Sequence, residues 1–391
     1  MMANSLGVYI HIPFCVKKCN YCAFLSGPSD AEGIERYVQA LIDEIQKCKV
    51  NFTSVDTIYF GGGTPSLLDI RQLEDIMTVL RDKFDISEDA EITLEANPGT
   101  LGSNEQEIYD RLLKYREIGI NRLSMGVQSM NDEVLKYLGR IHNAEDVKRD
   151  FKLARKAGFD NISLDLILSV PYGTEEDERR PMSQAVSDVK SLIGLQPEHV
   201  SCYSLQLEEG TQFYNQFEQG NFHEVSDEQD REIYHKVCSI LKDAGYEHYE
   251  ISNFAKPGKK SRHNSRYWNM SDYQAFGLGA SGFVNGVRYK NTDDMTEYLA
   301  GKYVADEYAN TEHDNISEAV FTGLRRNIGI RYDEVFPNTE NPEQEFWKYY
   351  EQAKIEAENF ATTGHLIINT EGIRLTESGI DISNKIMALF V

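Results

Sequence analysis

The sequence has no run approaching the roughly 18 apolar residues needed to cross a bilayer, so no integral membrane segment is expected. The opening stretch MMANSLGVYIHIPFC lacks a basic segment followed by an apolar core, so no secretory signal is read and the expected compartment is the cytoplasm. Cysteine is scarce: six in 391 residues is too few for a disulfide scaffold. Positive charge is also short, with 40 Lys and Arg against 63 Asp and Glu and a net charge of −23. A surface that acidic repels phosphate backbones and anionic lipid, which argues against a nucleic-acid or membrane-surface protein. No low-complexity linker interrupts the chain. What remains, 41% hydrophobic and 26% charged residues, is a globular balance at a length that suits one large domain plus a smaller one.

Short β-rich runs recur, each followed by an amphipathic stretch. VYIHI (8–12) precedes EGIERYVQALIDEIQKC (32–48), where Ile34, Tyr37, Val38, Leu41, Ile42 and Ile45 share one helical face. The same pairing repeats at DTIYF (56–60), EITLEA (91–96), NRLSMGV (121–127), NISLDLILSV (161–170) and HVSCYSL (199–205). Successive βα units make a parallel sheet, because each helix returns the chain to the same edge. Six of them predict an α/β fold built as an incomplete (β/α)6 barrel. EHYEISNF (247–254) reads as a seventh strand-like piece. Beyond about residue 290 the rhythm stops, and ISEAVFTGLRR (316–326), EQEFWKYYEQAKIEAENF (343–360), HLIINTEGIRLT (365–376) and ISNKIMALF (382–390) read as helix, helix, hairpin, helix. The expected division is therefore a barrel over 1–290 and a small winged-helix-like module over 291–391. Residues 331–391 carry five basic against eleven acidic side chains, so DNA is a poor partner for that module, and packing over the barrel rim is expected instead.

Polar and glycine-rich residues gather just after the strands (FGGGTP, EANPG, GVQS, YSLQ), where parallel α/β folds bind ligands. The first strand ends in Cys15, Cys19 and Cys22, spaced Cys-x3-Cys-x2-Cys. Three thiolates on one short loop suit a soft metal. Two readings follow. One is an iron–sulfur cluster with an unclaimed iron; the other is a structural zinc with a fourth ligand such as His11 or Cys48.

CVKKCNYC resembles the signature of the radical S-adenosylmethionine (radical SAM) superfamily. Tyr9-Ile-His11-Ile-Pro13-Phe14-Cys15, Gly61-Gly62-Gly63-Thr64-Pro65, Glu95-Ala-Asn97-Pro98 and Ser124-Met-Gly126-Val-Gln128-Ser129 are similar to its HemN/HemW group over nearly the whole chain. That resemblance implies a [4Fe–4S] cluster on Cys15, Cys19 and Cys22 and SAM on its open iron. Gly62, Gly63, Thr64 and Glu95 would hold the methionine end or ribose of SAM. Tyr9 and Tyr21 would complete the cofactor site, and Gln128, Arg140 and Asp165 match positions that contact a second SAM. DLILSVPYGT (165–174) departs from the group's DLIxGLPGQT, with Ser169-Val170 for Gly-Leu and Gly173 for Gln.

Two features divide the group. Its oxygen-independent coproporphyrinogen oxidases carry a fourth cysteine two residues after the third, where this chain has Phe24. SRHNSRYW (261–268) fits an HNxxYW motif that resembles the haem-associated signature of the haem-chaperone branch, implying haem contacts from His263, Asn264, Tyr267 and Trp268. Neutral imidazole is a good iron ligand, aromatic rings offer flat apolar surface, and Arg262 or Arg266 would pair with a propionate. The expected function is thus a radical SAM haem chaperone that passes haem to an acceptor protein, with an electron donor as a further partner. The alternatives are an oxidase that decarboxylates porphyrinogen propionates and, more remotely, a zinc-stabilised DNA-binding regulator. His142, His199, His223, His235, His248, His313 and His365 show no metal-ligand spacing, and Cys48, Cys202 and Cys238 read as packing residues.

Overall fold

The computed structural model describes residues 5–49, 54–171 and 180–391; Gly173 lies outside them. Six parallel strands, β1 (Ser5–Ile12), β2 (Ser54–Gly62), β3 (Ile86–Ala96), β4 (Arg122–Gln128), β5 (Ile162–Leu168) and β6 (His199–Ser204), lie side by side in sequence order. They are buried on both faces, as crossover connections require, and β1 reads as an almost continuous apolar run. The crossovers are α1 (Ala31–Lys47), α2 (Ile70–Lys83), α3 (Glu105–Ile118), the pair α4 (Asp132–Tyr137) and α5 (Ala144–Lys156), and α6 (Arg180–Leu195). Their starts are set locally: Asp30, Asp69, Asn104 and Asn143 each accept a hydrogen bond from a first-turn N–H.

After β6 come α7 (Gln212–Glu218) and α8 (Asp227–Asp243). The expected seventh strand is instead a hairpin. β7 (Glu247–Glu250) and β8 (Asn253–Ala255) are separated by a turn at Ile251-Ser252, and β8 pairs antiparallel to β6. Next stands α9 (Arg262–Trp268), and then β9 (Tyr273–Phe276) pairs parallel to β1 on the other edge. β10 (Ser281–Val284), β11 (Val287–Asn291), α10 (Met295–Leu299) and β12 (Val304–Ala309) follow, and the three strands extend that edge antiparallel. Among the described residues the sheet has twelve strands in the order β12-β11-β10-β9-β1-β2-β3-β4-β5-β6-β8-β7, with β12 and β7 at its edges. The sheet thus runs past residue 290, and a second apolar core begins at Ile316.

That second core holds α11 (Glu312–Gly323), a three-stranded sheet of 330–331, 372–375 and 366–368, and helices over 342–349 and 351–362. The single helix read over 343–360 is two. The break falls at Tyr350 (φ −100°, ψ 37°), a buried residue whose hydroxyl donates to the Phe390 carbonyl at 3.2 Å. This unit does not lie over the strand carboxyl ends as expected. Its contacts run to α9, α8 and the β7–β8 hairpin: Arg325 covers the Trp268 ring at 4.5 Å, Arg326 donates to Asn269 at 2.7 Å, and His235 meets Asp381 at 2.9 Å.

α1 is tied to the β9–β11 edge through a buried carboxylate. Glu44 accepts from the Gly277 N–H (2.9 Å), Asn291 Nδ2 (2.6 Å) and the Tyr298 hydroxyl (2.6 Å). Burial raises its pKa against these three donors. Glu44→Ala removes the acceptor that these three donors share, leaving Asn291 Nδ2 only the Gly277 carbonyl at 2.8 Å, and is expected to lower unfolding free energy by about 3 kcal/mol, read from urea denaturation of the full chain.

Candidate functional site

The two ends of the barrel are built differently. At the strand carboxyl ends, Cys15–Gly27 form a closed loop: Cys15 N–H donates to the Gly27 carbonyl and Gly27 N–H to the Pro13 carbonyl, both at 3.0 Å. Beneath it lies a small apolar cluster of Val134, Leu138, Val170, Phe213 and Phe222, against which Tyr21 packs. Asn20 anchors the loop further, its N–H donating to the Leu138 carbonyl at 3.1 Å.

One chain of hydrogen bonds crosses this rim. The Thr64 hydroxyl lies 3.6 Å from Cys15 Sγ and accepts from Asn97 Nδ2 at 2.8 Å. Asn97 Oδ1 accepts from Arg140 Nη2 at 2.6 Å, and Arg140 Nη1 lies 3.4 Å from Cys19 Sγ. Arg140 Nη2 also donates to the Gly126 carbonyl at 2.7 Å. Two cysteines are thus joined through residues at the ends of β2 and β3 and in the loop after α4. The sequence reading quoted Asn97 within a motif but gave it no role, although its place directly after β3 was the available signal. None of the six cysteines is joined to another by a disulfide. Burial pushes the Cys22 thiol up, and the neighbouring Cys19 and Cys15 add to the rise.

The glycine run after β2 serves the same rim. A Cβ on Gly62 (φ +111°) would lie 2.5 Å from the His11 ring, and one on Gly63 would lie 2.6 Å from the Phe14 carbonyl. Gly63 and Thr64 donate their N–H groups to Ile12 and Phe14. These glycines therefore let β2 run flush against the start of the cysteine loop.

Below the rim the lumen is polar. Glu95, Ser124, Ser163 and His199 face one another along one row of the sheet register. Glu95 accepts from the Tyr59 hydroxyl (2.7 Å) and the Gly62 N–H (3.2 Å). Burial, with Asp165 adding to it, pushes its pKa up to about 7. Asp165 accepts from Ser124 and Ser163, each at 3.2 Å, and burial raises it as well. Arg122, which the sequence reading did not single out, is 1% exposed in the same lumen. Tyr9 points into this space rather than to the rim, stacked on Tyr59 and hydrogen-bonded to His11 Nδ1 at 3.0 Å. Gln128 stands at the top of β4 with φ 68°, beside Asn97 and Arg140 around Gly126. Ser169 takes a left-handed φ of 56°, a conformation glycine adopts freely, and its hydroxyl bonds to Asp230.

The HNxxYW residues lie at the opposite end. α9 closes the barrel where the strands begin: Arg266 donates to the Ser5 and Asp272 carbonyls (3.1 and 3.0 Å) and pairs with Asp56, and Arg262 N–H donates to Glu91. His263 is fully buried. One ring nitrogen meets the Thr57 hydroxyl and the other the Tyr267 hydroxyl, both at 2.9 Å. Burial drives its pKa down to about 3. Asn264 sits in the first turn with its N–H on the Ser261 cap, and Trp268 faces Arg325. α9 thus sits as a plug at the strand amino ends, away from the cysteine loop, with both His263 imidazole nitrogens engaged by hydroxyls.

Among the described residues no group of three or more His, Cys, Asp or Glu converges as around one ion. His11 is buried and hydrogen-bonded at both nitrogens, to Tyr9 and to the Leu25 carbonyl. Cys48 ends α1, remote from the strand carboxyl ends. The donor set suits a cubane, in which each thiolate takes a different iron and the sulfurs need not converge on one point.

An incomplete six-stranded parallel barrel with a three-cysteine loop at its rim defines the radical SAM class, and residues 9–180 match the family model for the radical SAM superfamily. The heme chaperone HemW of Lactococcus lactis is 34% identical over 100% of this chain and 98% of its own length. The heme chaperone HemW of Bacillus subtilis is 37% identical over 82% of this chain and 84% of its own. The solved coproporphyrinogen III oxidase (HemN) of Escherichia coli superposes with a TM-score of 0.83, covering 99% of this chain and 90% of that one at 24% identity, a likeness of fold. The chain belongs to the HemW family within the radical SAM superfamily. That superfamily implies a [4Fe–4S] cluster and SAM. No helix among the described residues is long and apolar enough to cross a membrane.

Removing His263 leaves two buried hydroxyls facing a void. His263→Ala is expected to cost about 2–4 kcal/mol of stability, seen as a lowered thermal midpoint, with cluster content unchanged at low temperature.

Proposed function

We propose that this protein is a haem chaperone that carries a [4Fe–4S] cluster and SAM, binds haem and hands it to an acceptor protein in the cytoplasm. The reading is supported by the rim chain Cys15–Thr64–Asn97–Arg140–Cys19 together with Phe24 at the position of the oxidases' extra cysteine. Its two units are a barrel that holds the cofactors and a C-terminal unit that braces the barrel from below.

Cys15, Cys19 and Cys22 would hold three irons. When bound there, a [4Fe–4S] cluster would supply a single electron for reductive cleavage of SAM. Arg140 places positive charge against Cys19 and Thr64 points a hydroxyl at Cys15, so both offset thiolate charge. Arg140 is committed to that task and to Asn97, and we assign it to the cluster rather than to a second SAM. Glu95 is set to accept the SAM ammonium, with Gly62, Gly63 and Thr64 forming the adjoining wall and Tyr59 and the Gly62 N–H aiming the carboxylate. Gln128 and Asp165 line the rim and lumen beside it and complete the SAM pocket. Tyr21 supports the loop from the apolar cluster beneath.

Anaerobic reconstitution followed by haem titration tests the whole reading. The expected result is a brown, oxygen-sensitive protein that gains a haem absorption band. Decarboxylation of coproporphyrinogen III with SAM and a reductant, without haem uptake, would overturn it.

The SAM assignment has its own pH signature. An acid whose folded pKa is raised is protonated below that value, and only its ionised form attracts an ammonium. SAM affinity is therefore expected to rise as pH climbs through about 7. Glu95→Gln should flatten that profile and weaken binding about tenfold, followed by the SAM-dependent change in the cluster spectrum.

A further inference from the structure

We infer that haem docks on the outer face of the cysteine loop, its macrocycle against Val16, Phe24 and Ile141 and its propionates on Lys17 and Lys18. This rests on the haem-chaperone reading above and supplies the site that the HNxxYW plug does not. Three observations carry it.

First, large apolar side chains are exposed here. Val16 is 57%, Ile141 52% and Phe24 67% exposed. Val16, Lys17 and Ile141 line one depression whose wall contains Cys19, Thr64, Asn97 and Arg140. Ile141 follows Arg140 directly, so apolar surface from two separate segments meets beside the cluster ligands. The loop is a fixed platform, because its base is closed by the Pro13–Gly27 and Cys15–Gly27 hydrogen bonds.

Second, the charge is local and of the right sign. In a chain with 63 acidic residues, positions 11–29 contain none, while Lys17 and Lys18 stand exposed within them. Lys18 Nζ donates to the Phe24 carbonyl at 3.2 Å, which holds an ammonium at the edge of the aromatic ring's segment. A flat apolar body with two carboxylates at one edge is the complement of that surface.

Third, no imidazole lines this depression. His11 and His142 are buried; His11 is bonded at both nitrogens, and His142 is bonded through Nε2 to the Val127 carbonyl, with Nδ1 unpaired but enclosed. Haem on this face is therefore held by packing and propionate contacts, without a ligand from either ring, an arrangement that favours release to an acceptor.

The test titrates ferric haem, and haem with both propionates esterified, into the anaerobically reconstituted full chain, following the haem absorption band. Wild type is expected to prefer free haem to the diester. Lys17→Glu with Lys18→Glu should weaken free haem about tenfold and abolish that preference. Ile141→Glu, outside the cysteine loop, should weaken both forms alike. Iron and sulfide content at the wild-type level shows that the loop is intact. If the variants bind both forms as wild type does, this docking surface is wrong while the haem reading stands. If wild type itself takes up no haem, the proposed function fails and this inference with it.

Discussion

Arg140 is the contact on which the rim depends. A guanidinium taken out of water is costly unless its donors are met; here both terminal nitrogens are met, by Asn97, the Gly126 carbonyl and the sulfur of Cys19, and Nε alone is left unpaired. It joins the loop after α4 to the ends of β3 and β4 and to the cysteine loop. Through Asn97 and Thr64 the same chain reaches Cys15. The loop could not keep three thiols on one side of the barrel from its own sequence alone. Short loops without regular structure take their geometry from what they rest on, here Arg140 above and the Tyr21–Phe213–Phe222 cluster below.

The barrel divides its labour along its axis. The carboxyl ends of the strands carry reactive thiols, glycines and partly exposed polar groups. The amino ends are sealed by α9, where Arg266 and His263 satisfy groups from β1, β2 and β3. The lumen between them mixes a buried arginine with two acids whose ionisation is suppressed by burial. Proximity of such groups in a dry space lets a single bound ammonium change the protonation of Glu95, because each charge there is poorly screened.

The six strands and their helices were legible because period-2 and period-3.6 patterns alternate without interruption, and the cysteine spacing placed the reactive rim. The position of HNxxYW was not. A motif read along the chain carries chemistry but not the end of the barrel it will occupy, and the same aromatics that suit a porphyrin also suit a plug. The β7–β8 hairpin was hidden in one apolar-polar run because its turn, Ile251-Ser252, contains neither glycine nor proline. The helix break at Tyr350 is likewise tertiary in origin, fixed by a hydroxyl reaching Phe390. Asn97 was visible but mute, since a single amide beside a strand end reveals nothing of the two partners it will bridge.

Among the described residues β12 forms one border of the sheet. All six of its residues, Val304–Ala309, are exposed, and Asp306 and Glu307 sit in its middle. An unpaired ladder is normally an invitation to other strands. Two such borders approaching one another would bring four carboxylates face to face, so the chain is insulated against fibril-like self-templating even while its metal centre is being assembled.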